Sequence, residues 1–141
     1  MDYDKCTTAK KDKIIPLKEK RSEFRVLNRS RKQVKIVDVD NCLITDSDLK
    51  CDYIVEYKGT DDRDAAMFVE LKGCGLDHAI KQLQSTLDLT KSRYKSFHKE
   101  CYVVTTRFPK CGTTARRMKI DFFNKNKATL TLKNCKIEAT I

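Results

Sequence analysis

Two carboxylates and a lysine, Asp52, Glu70 and Lys72, stand in stretches whose other residues read as buried strand. Asp52 opens the run Asp52-Tyr53-Ile54-Val55-Glu56-Tyr57, and Glu70 and Lys72 close Ala66-Met67-Phe68-Val69-Glu70-Leu71-Lys72-Gly73. Charge at such positions is costly unless it is paired or coordinates a metal. Carboxylate oxygens on one face suit a hard divalent cation, and a neighbouring ammonium can neutralise charge that develops on a phosphoryl group. Together they have the chemistry for metal-assisted hydrolysis of a phosphodiester. The plainer alternative is that Lys72 salt-bridges both acids across a solvent-facing strand pair, since E-x-K is a common sequence.

Geometry favours convergence. Residues 59–64 (Gly-Thr-Asp-Asp-Arg-Asp) have turn composition. A hairpin symmetric about Asp61 sets Asp52 opposite Glu70 and Ile54 opposite Phe68. Opposed residues have Cβ atoms about 4.5–5.5 Å apart. Alternation then puts Lys72 on the face of Glu70, one pleat along. A one-residue slip would send the groups to the other face.

The elements that must hold this hairpin are legible to different degrees. Residues 1–20 are lysine-rich and broken by Pro16, which predicts a basic, mobile N-terminal segment ahead of a single domain over 21–141. Residues 17–27 suit a short helix or a first strand equally well. Residues 33–45 alternate as a strand, and Asp46-Ser47-Asp48 is a turn signal. After Gly73-Cys74-Gly75, Leu76, Ala79, Ile80, Leu83 and Leu87 form a helical apolar stripe with His78 and Gln82 on its border. Residues 101–108 (CYVVTTRF) read as a central strand ended by Pro109. Thr113 or Thr114 can cap a helix to about Asn124. Residues 128–141 alternate as one or two closing strands bent near Asn134.

Strand aspartate, then strand E-L-K, then helix resembles the PD-(D/E)XK nuclease superfamily, whose fold is restriction-endonuclease-like. Cys51-Asp52 corresponds to the "PD" element and Glu70-Leu71-Lys72 to the "(D/E)XK" element, with cysteine in place of the motif proline. Phe68-Val69-Glu70-Leu71-Lys72-Gly73 followed by a helix containing Gln82 is similar to branches with a helical glutamine. The resemblance covers roughly residues 33–107. It implies an α/β fold with a central mixed β-sheet flanked by helices. It further implies Mg²⁺, replaceable by Mn²⁺, held by Asp52, Glu70 and the Leu71 carbonyl. Lys72 would serve the attacking water and Gln82 would help orient the site. Many members also place an acid before the first motif strand; Glu23 and Asp40 are candidates without a clear match. His78 is expected to be a surface or packing residue.

The charge pattern suits that chemistry. Residues 1–35 hold 12 basic and 5 acidic residues, 36–80 hold 4 and 11, and 81–141 hold 14 and 4. A cation site in the acidic middle is thus flanked by phosphate-attracting ends. Lys81, Arg93, Lys95, Lys99, Arg116, Arg117 and Lys119 are candidate phosphate contacts, whereas Tyr53, Tyr57, Tyr94, Phe97 and Tyr102 are expected to pack in the core. The seven cysteines (6, 42, 51, 74, 101, 111 and 135) form no C-x-x-C pair or Cys/His cluster, which predicts reduced thiols with neither zinc nor disulfides. With no apolar leader and no membrane-length apolar run, the expected location is the cytoplasm. The combined expectation is a metal-dependent nuclease acting on nucleic acid, DNA before RNA. At 141 residues it has little room for a recognition domain. That favours a homodimer, an enzyme resembling junction resolvases, or a recognition partner. The alternative is a catalytically inactive nuclease fold that binds nucleic acid or serves assembly.

Overall fold

The computed structural model describes residues 1–46, 48–73, 75–106 and 112–141, with only the backbone of residues 72, 73, 112 and 113. Ser47, Cys74, Cys111, Pro109 and the side chains of Lys72 and Thr113 therefore lie outside the described residues.

Among the described residues nine strands form two sheets. In chain order the elements are α1 (Tyr3–Cys6), β1 (Thr7–Lys10), β2 (Ile14–Glu19), β3 (Ser22–Leu27), β4 (Val34–Asp38), a single π-helical turn (Val39–Leu43), β5 (Tyr53–Lys58) and β6 (Asp64–Gly73). Then come α2 (Leu76–Leu89), α3 (Lys91–Tyr94), β7 (His98–Thr105), α4 (Gly112–Asn126), β8 (Thr129–Asn134) and β9 (Lys136–Thr140). The larger sheet has the order β1-β4-β5-β6-β7-β8. It is antiparallel from β1 to β6 and parallel from β6 to β8, hence mixed. The fold is α/β with a six-stranded central sheet.

The hairpin register agrees with the turn symmetry: Tyr53 pairs with Val69, Ile54 with Phe68 and Val55 with Met67. The turn is closed by Gly59 N donating to Arg63 O (2.8 Å) and Arg63 N to Asp61 Oδ1 (3.0 Å). A Cβ on Gly59 would lie 2.9 Å from that Asp61 oxygen, so the absence of a side chain there permits the close turn.

Period-two burial divides the core between the faces of the large sheet. On one face Ile54, Phe68, Cys101 and Leu130 pack against Ala79, Leu83 and Leu87 of α2 and Ala115 and Phe122 of α4. On the other, Val55, Met67, Val69 and Val104 pack against Ile15, Leu17, Phe24, Val26, Ile137 and Ala139. These last six belong to a second sheet, β2-β3-β9, in which β3 runs antiparallel to β2 and parallel to β9. The mixed central sheet flanked by helices is thus refined: the helices pack on one of its faces and a three-stranded sheet covers the other. The reason is visible in β2 and β3, which alternate buried and less buried residues and so present one apolar side for a sheet to cover. Residues 17–27 are strand and turn, resolving the open choice between helix and strand.

Three further expectations change. Residues 1–20, read as a mobile arm, contain α1, β1 and β2, with Ile15 1% exposed. Only Ile15 and Leu17 of β2 and Cys6 of α1 are buried there, so the lysine-rich composition of the segment masked a short strand pattern. Cys6 and Cys42, expected to be reduced, are joined by a disulfide with Cα atoms 5.5 Å apart. The pair is 36 residues apart in sequence and becomes adjacent because β1 pairs with β4. Cys51 and Cys101 are free and buried, as small hydrophobes would be. The expected strand over 33–45 stops at Asp38, where the Asp38 side chain accepts from Asn41 N (3.2 Å) and starts the π-helical turn. The bend near Asn134 falls at Cys135, with φ 66°.

Candidate active site

Asp52 lies one residue ahead of β5 and is 5% exposed. Backbone from three directions fixes it. Its N–H donates to Val69 O (3.0 Å), and its carbonyl accepts from Val39 N (3.0 Å) and Asp40 N (3.4 Å) at the head of the π-helical turn. Its carboxylate Oδ2 accepts from Leu71 N at 2.7 Å. The aspartate of the first motif strand is therefore bonded directly to the middle residue of Glu-Leu-Lys.

Glu70 is fully buried at 0% exposure. The paired residues Ile54 and Phe68 both face the helix layer, and the two-residue period assigns Asp52 and Glu70 to that same side. The Cys51 thiol senses both acids. Burial pushes its pKa far above the ordinary value, and the charges of Glu70 and Asp52 each add to the rise. Beyond Glu70 the ladder changes step: β6 advances three residues, Glu70 to Gly73, while β7 advances two, Val103 to Thr105. One extra residue therefore falls at Leu71-Lys72. Such a bulge releases backbone groups from the ladder and re-aims side chains. The Lys72 backbone is thus at the expected strand end, while its side chain lies outside the described residues.

Helix α2 supports the segment that leads into Asp52. Gln82 Nε2 donates to Lys50 O (3.1 Å), and Thr86 Oγ1 accepts from Cys51 N (2.8 Å). Gln82 Oε1 is buried and has no hydrogen bond among the described residues. Sequence reasoning selected Gln82 but missed Thr86, which is fully buried. Its spacing of four from Gln82, placing both on one helix face, is a signal that was present.

The remaining candidates separate cleanly. His78 is exposed in the first turn of α2. Asp40 is half-buried and touches Asp52 through its backbone N–H. Glu23 is engaged on the second sheet by Arg25 (3.3 Å) and Lys18 (3.8 Å). Tyr53 lies among acids: burial raises its phenol pKa, and Asp38, Asp52, Glu19 and Asp40 raise it further. Of the basic residues, Arg93 is bound to Glu56 (3.0 Å), and Lys99 donates to the carbonyls of Tyr94 and Phe97. Lys81, Lys95, Arg116, Arg117 and Lys119 are exposed. Because Ala65 pairs with His98 and Gly73 with Thr105, Lys95 sits at the sheet end away from Glu70. α4 ends next to Thr129, which pairs with Glu100 at the far end of β7, so Arg116 and Arg117 near its start lie toward the sheet end of Glu70.

Asp52, Glu70, the Leu71 carbonyl and Gln82 Oε1 are all oxygen donors of the kind Mg²⁺ prefers, and Mg²⁺ commonly takes only one or two carboxylates and keeps several waters. By chemical type these donors suit that ion. Among the described residues no cluster of three or more His, Cys, Asp or Glu side chains stands as a ready ligand set. No helix among the described residues is long and apolar enough to cross a membrane. No protein-family model, curated protein or solved structure matches the chain.

Proposed function

We propose that this chain is a divalent-metal-dependent nuclease of the PD-(D/E)XK type, with a restriction-endonuclease-like core formed by β4, β5, β6, α2 and β7. The observation that carries the reading is the 2.7 Å hydrogen bond from Leu71 N to Asp52 Oδ2, which ties the aspartate to the Glu-Leu-Lys strand at its bulge. Asp52 and Glu70 would hold the cation, with the Leu71 carbonyl as a third donor. Lys72 would orient the water and offset charge on the phosphate as the bond to the leaving oxygen breaks. When bound, Mg²⁺ or Mn²⁺ supplies Lewis-acid polarisation of a phosphoryl oxygen. Arg116 and Arg117, exposed near the start of α4, would meet the nucleic-acid backbone, with DNA favoured over RNA by resemblance. Recognition by a second copy or a partner protein remains part of this reading. A cytoplasmic location belongs to it only where the Cys6–Cys42 pair is kept reduced, because disulfides persist in oxidising compartments.

The test is cleavage of plasmid, single-stranded DNA and RNA by wild type, Lys72→Ala and Asp52→Asn, with Mg²⁺ or Mn²⁺ and with EDTA. Metal-dependent cleavage that falls by roughly 100-fold or more in both variants, with unchanged circular dichroism, is expected. Binding without metal-dependent cleavage would instead favour an inactive nucleic-acid-binding module. Equal cleavage by all three proteins overturns the proposed residues.

A further inference from the structure

We propose that Thr86 is a positioning residue for Asp52, gripping the Lys50–Cys51 peptide from helix α2 and thereby setting where the Asp52 carboxylate stands. The inference deepens the nuclease reading and rests on it for its catalytic consequence.

The hydroxyl of Thr86 donates to Gln82 O within its own helix (2.9 Å). With its proton committed there, the oxygen presents lone pairs outward, and one accepts from Cys51 N (2.8 Å). That N–H needs a partner, because Cys51 is 0% exposed and β5 starts only at Tyr53. The carbonyl of the same peptide group, Lys50 O, accepts from Gln82 Nε2 (3.1 Å). One turn of α2 thus holds both polar ends of a single peptide plane.

The next two peptide groups are also fixed. Asp52 N donates to Val69 O, and Asp52 O accepts from Val39 N and Asp40 N. Backbone anchors on both sides of the Asp52 Cα leave little freedom in the direction of its side chain, which ends on Leu71 N. Without the Thr86 hydroxyl, the Cys51 N–H is buried with no acceptor. The peptide then turns to recover one. That rotation swings Asp52 away from Leu71 N and from Glu70.

The experiment compares full-length wild type, Thr86→Val (same shape, no hydroxyl), Thr86→Ser (hydroxyl kept) and Asp52→Asn. Amide hydrogen exchange at Cys51 and Leu71, Mn²⁺ binding and plasmid cleavage are measured on each. In Thr86→Val, both amides should exchange about tenfold faster or more. Its kcat should fall by about 10- to 100-fold with KM for DNA unchanged. Thr86→Ser should restore both readouts. Faster exchange at Cys51 alone, with Leu71 and cleavage as in wild type, overturns the proposal. So does a Thr86→Ser defect equal to that of Thr86→Val, since the methyl group rather than the hydroxyl would then matter. If Thr86→Val does not fold, Gln82→Met removes the other half of the grip and must accelerate Leu71 exchange for the proposal to stand. If wild type neither binds Mn²⁺ nor cleaves, the nuclease reading falls, and Leu71 exchange still decides whether Thr86 positions Asp52.

Discussion

Glu56 and Asp52 are both buried acids on the same hairpin, and their partners distinguish a structural charge from a candidate ligand. Glu56, 7% exposed, accepts from Arg93 Nε (3.0 Å), Arg93 Nη2 (3.2 Å) and Tyr94 Oη (2.6 Å). The Arg93 guanidinium also lies 4.0 Å from the centroid of the Tyr3 ring. Its charge is matched within the protein. Among the hydrogen bonds of the described residues the Asp52 carboxylate accepts from one backbone N–H, that of Leu71, which stabilises a carboxylate without neutralising it. Arg93→Ala should therefore destabilise the fold by about 1.5–3 kcal/mol, the usual scale for hydrogen bonds to a charged group. Urea unfolding measures this. A loss under about 0.5 kcal/mol would mean that the partly exposed Arg93 acts as an ordinary surface ion pair.

At the level of elements, the π-helical turn links the candidate site to the N-terminal segment. Its leading N–H groups bind the Asp52 carbonyl, and its Cys42 is tied to Cys6 at the end of α1. Closing a loop of this length restricts the unfolded chain by about 3–4 kcal/mol in the chain-entropy picture. Reduction, or the double substitution Cys6→Ala/Cys42→Ala, should lower unfolding stability by that order. A calorimetric or denaturant series in the presence and absence of reductant checks it. Indistinguishable midpoints would show that pairing of β1 with β4 alone holds the segment.

On the scale of the whole molecule, two layers covering one sheet leave every tyrosine partly or fully packed. Burial is the first cause that raises the phenol pKa of Tyr3, Tyr53, Tyr57, Tyr94 and Tyr102. A raised folded pKa means the native state keeps protons that the unfolded state loses above about pH 10. The stabilisation is fully present below that pH and is lost as pH rises through the folded values. Lys99 acts with the opposite sign, because burial and Arg63 lower its pKa. It is one group against five. The expected result is steep alkaline unfolding, with tyrosinate absorbance rising together with loss of circular dichroism. Tyrosines that ionise near pH 10 in a protein that stays folded would contradict it.

The sequence by itself determined the hairpin register, the helix after it, the convergence of Asp52 with the Glu-Leu-Lys strand and a central strand, expected over 101–108 and found as His98–Thr105. These follow from alternation, turn length and apolar period, which are properties of short contiguous stretches. The lysine-rich composition of residues 1–20 concealed β1, which buries no residue, and β2, whose inward side is only Ile15 and Leu17. Tertiary structure alone decided that residues 23–27 pair in parallel with 136–140, that Cys6 meets Cys42, and that Gln82 and Thr86 grip the Lys50–Cys51 peptide. Each joins segments more than thirty residues apart. The cost of closing such loops is nearly the same for many pairings, so only the packing of the completed core selects among them.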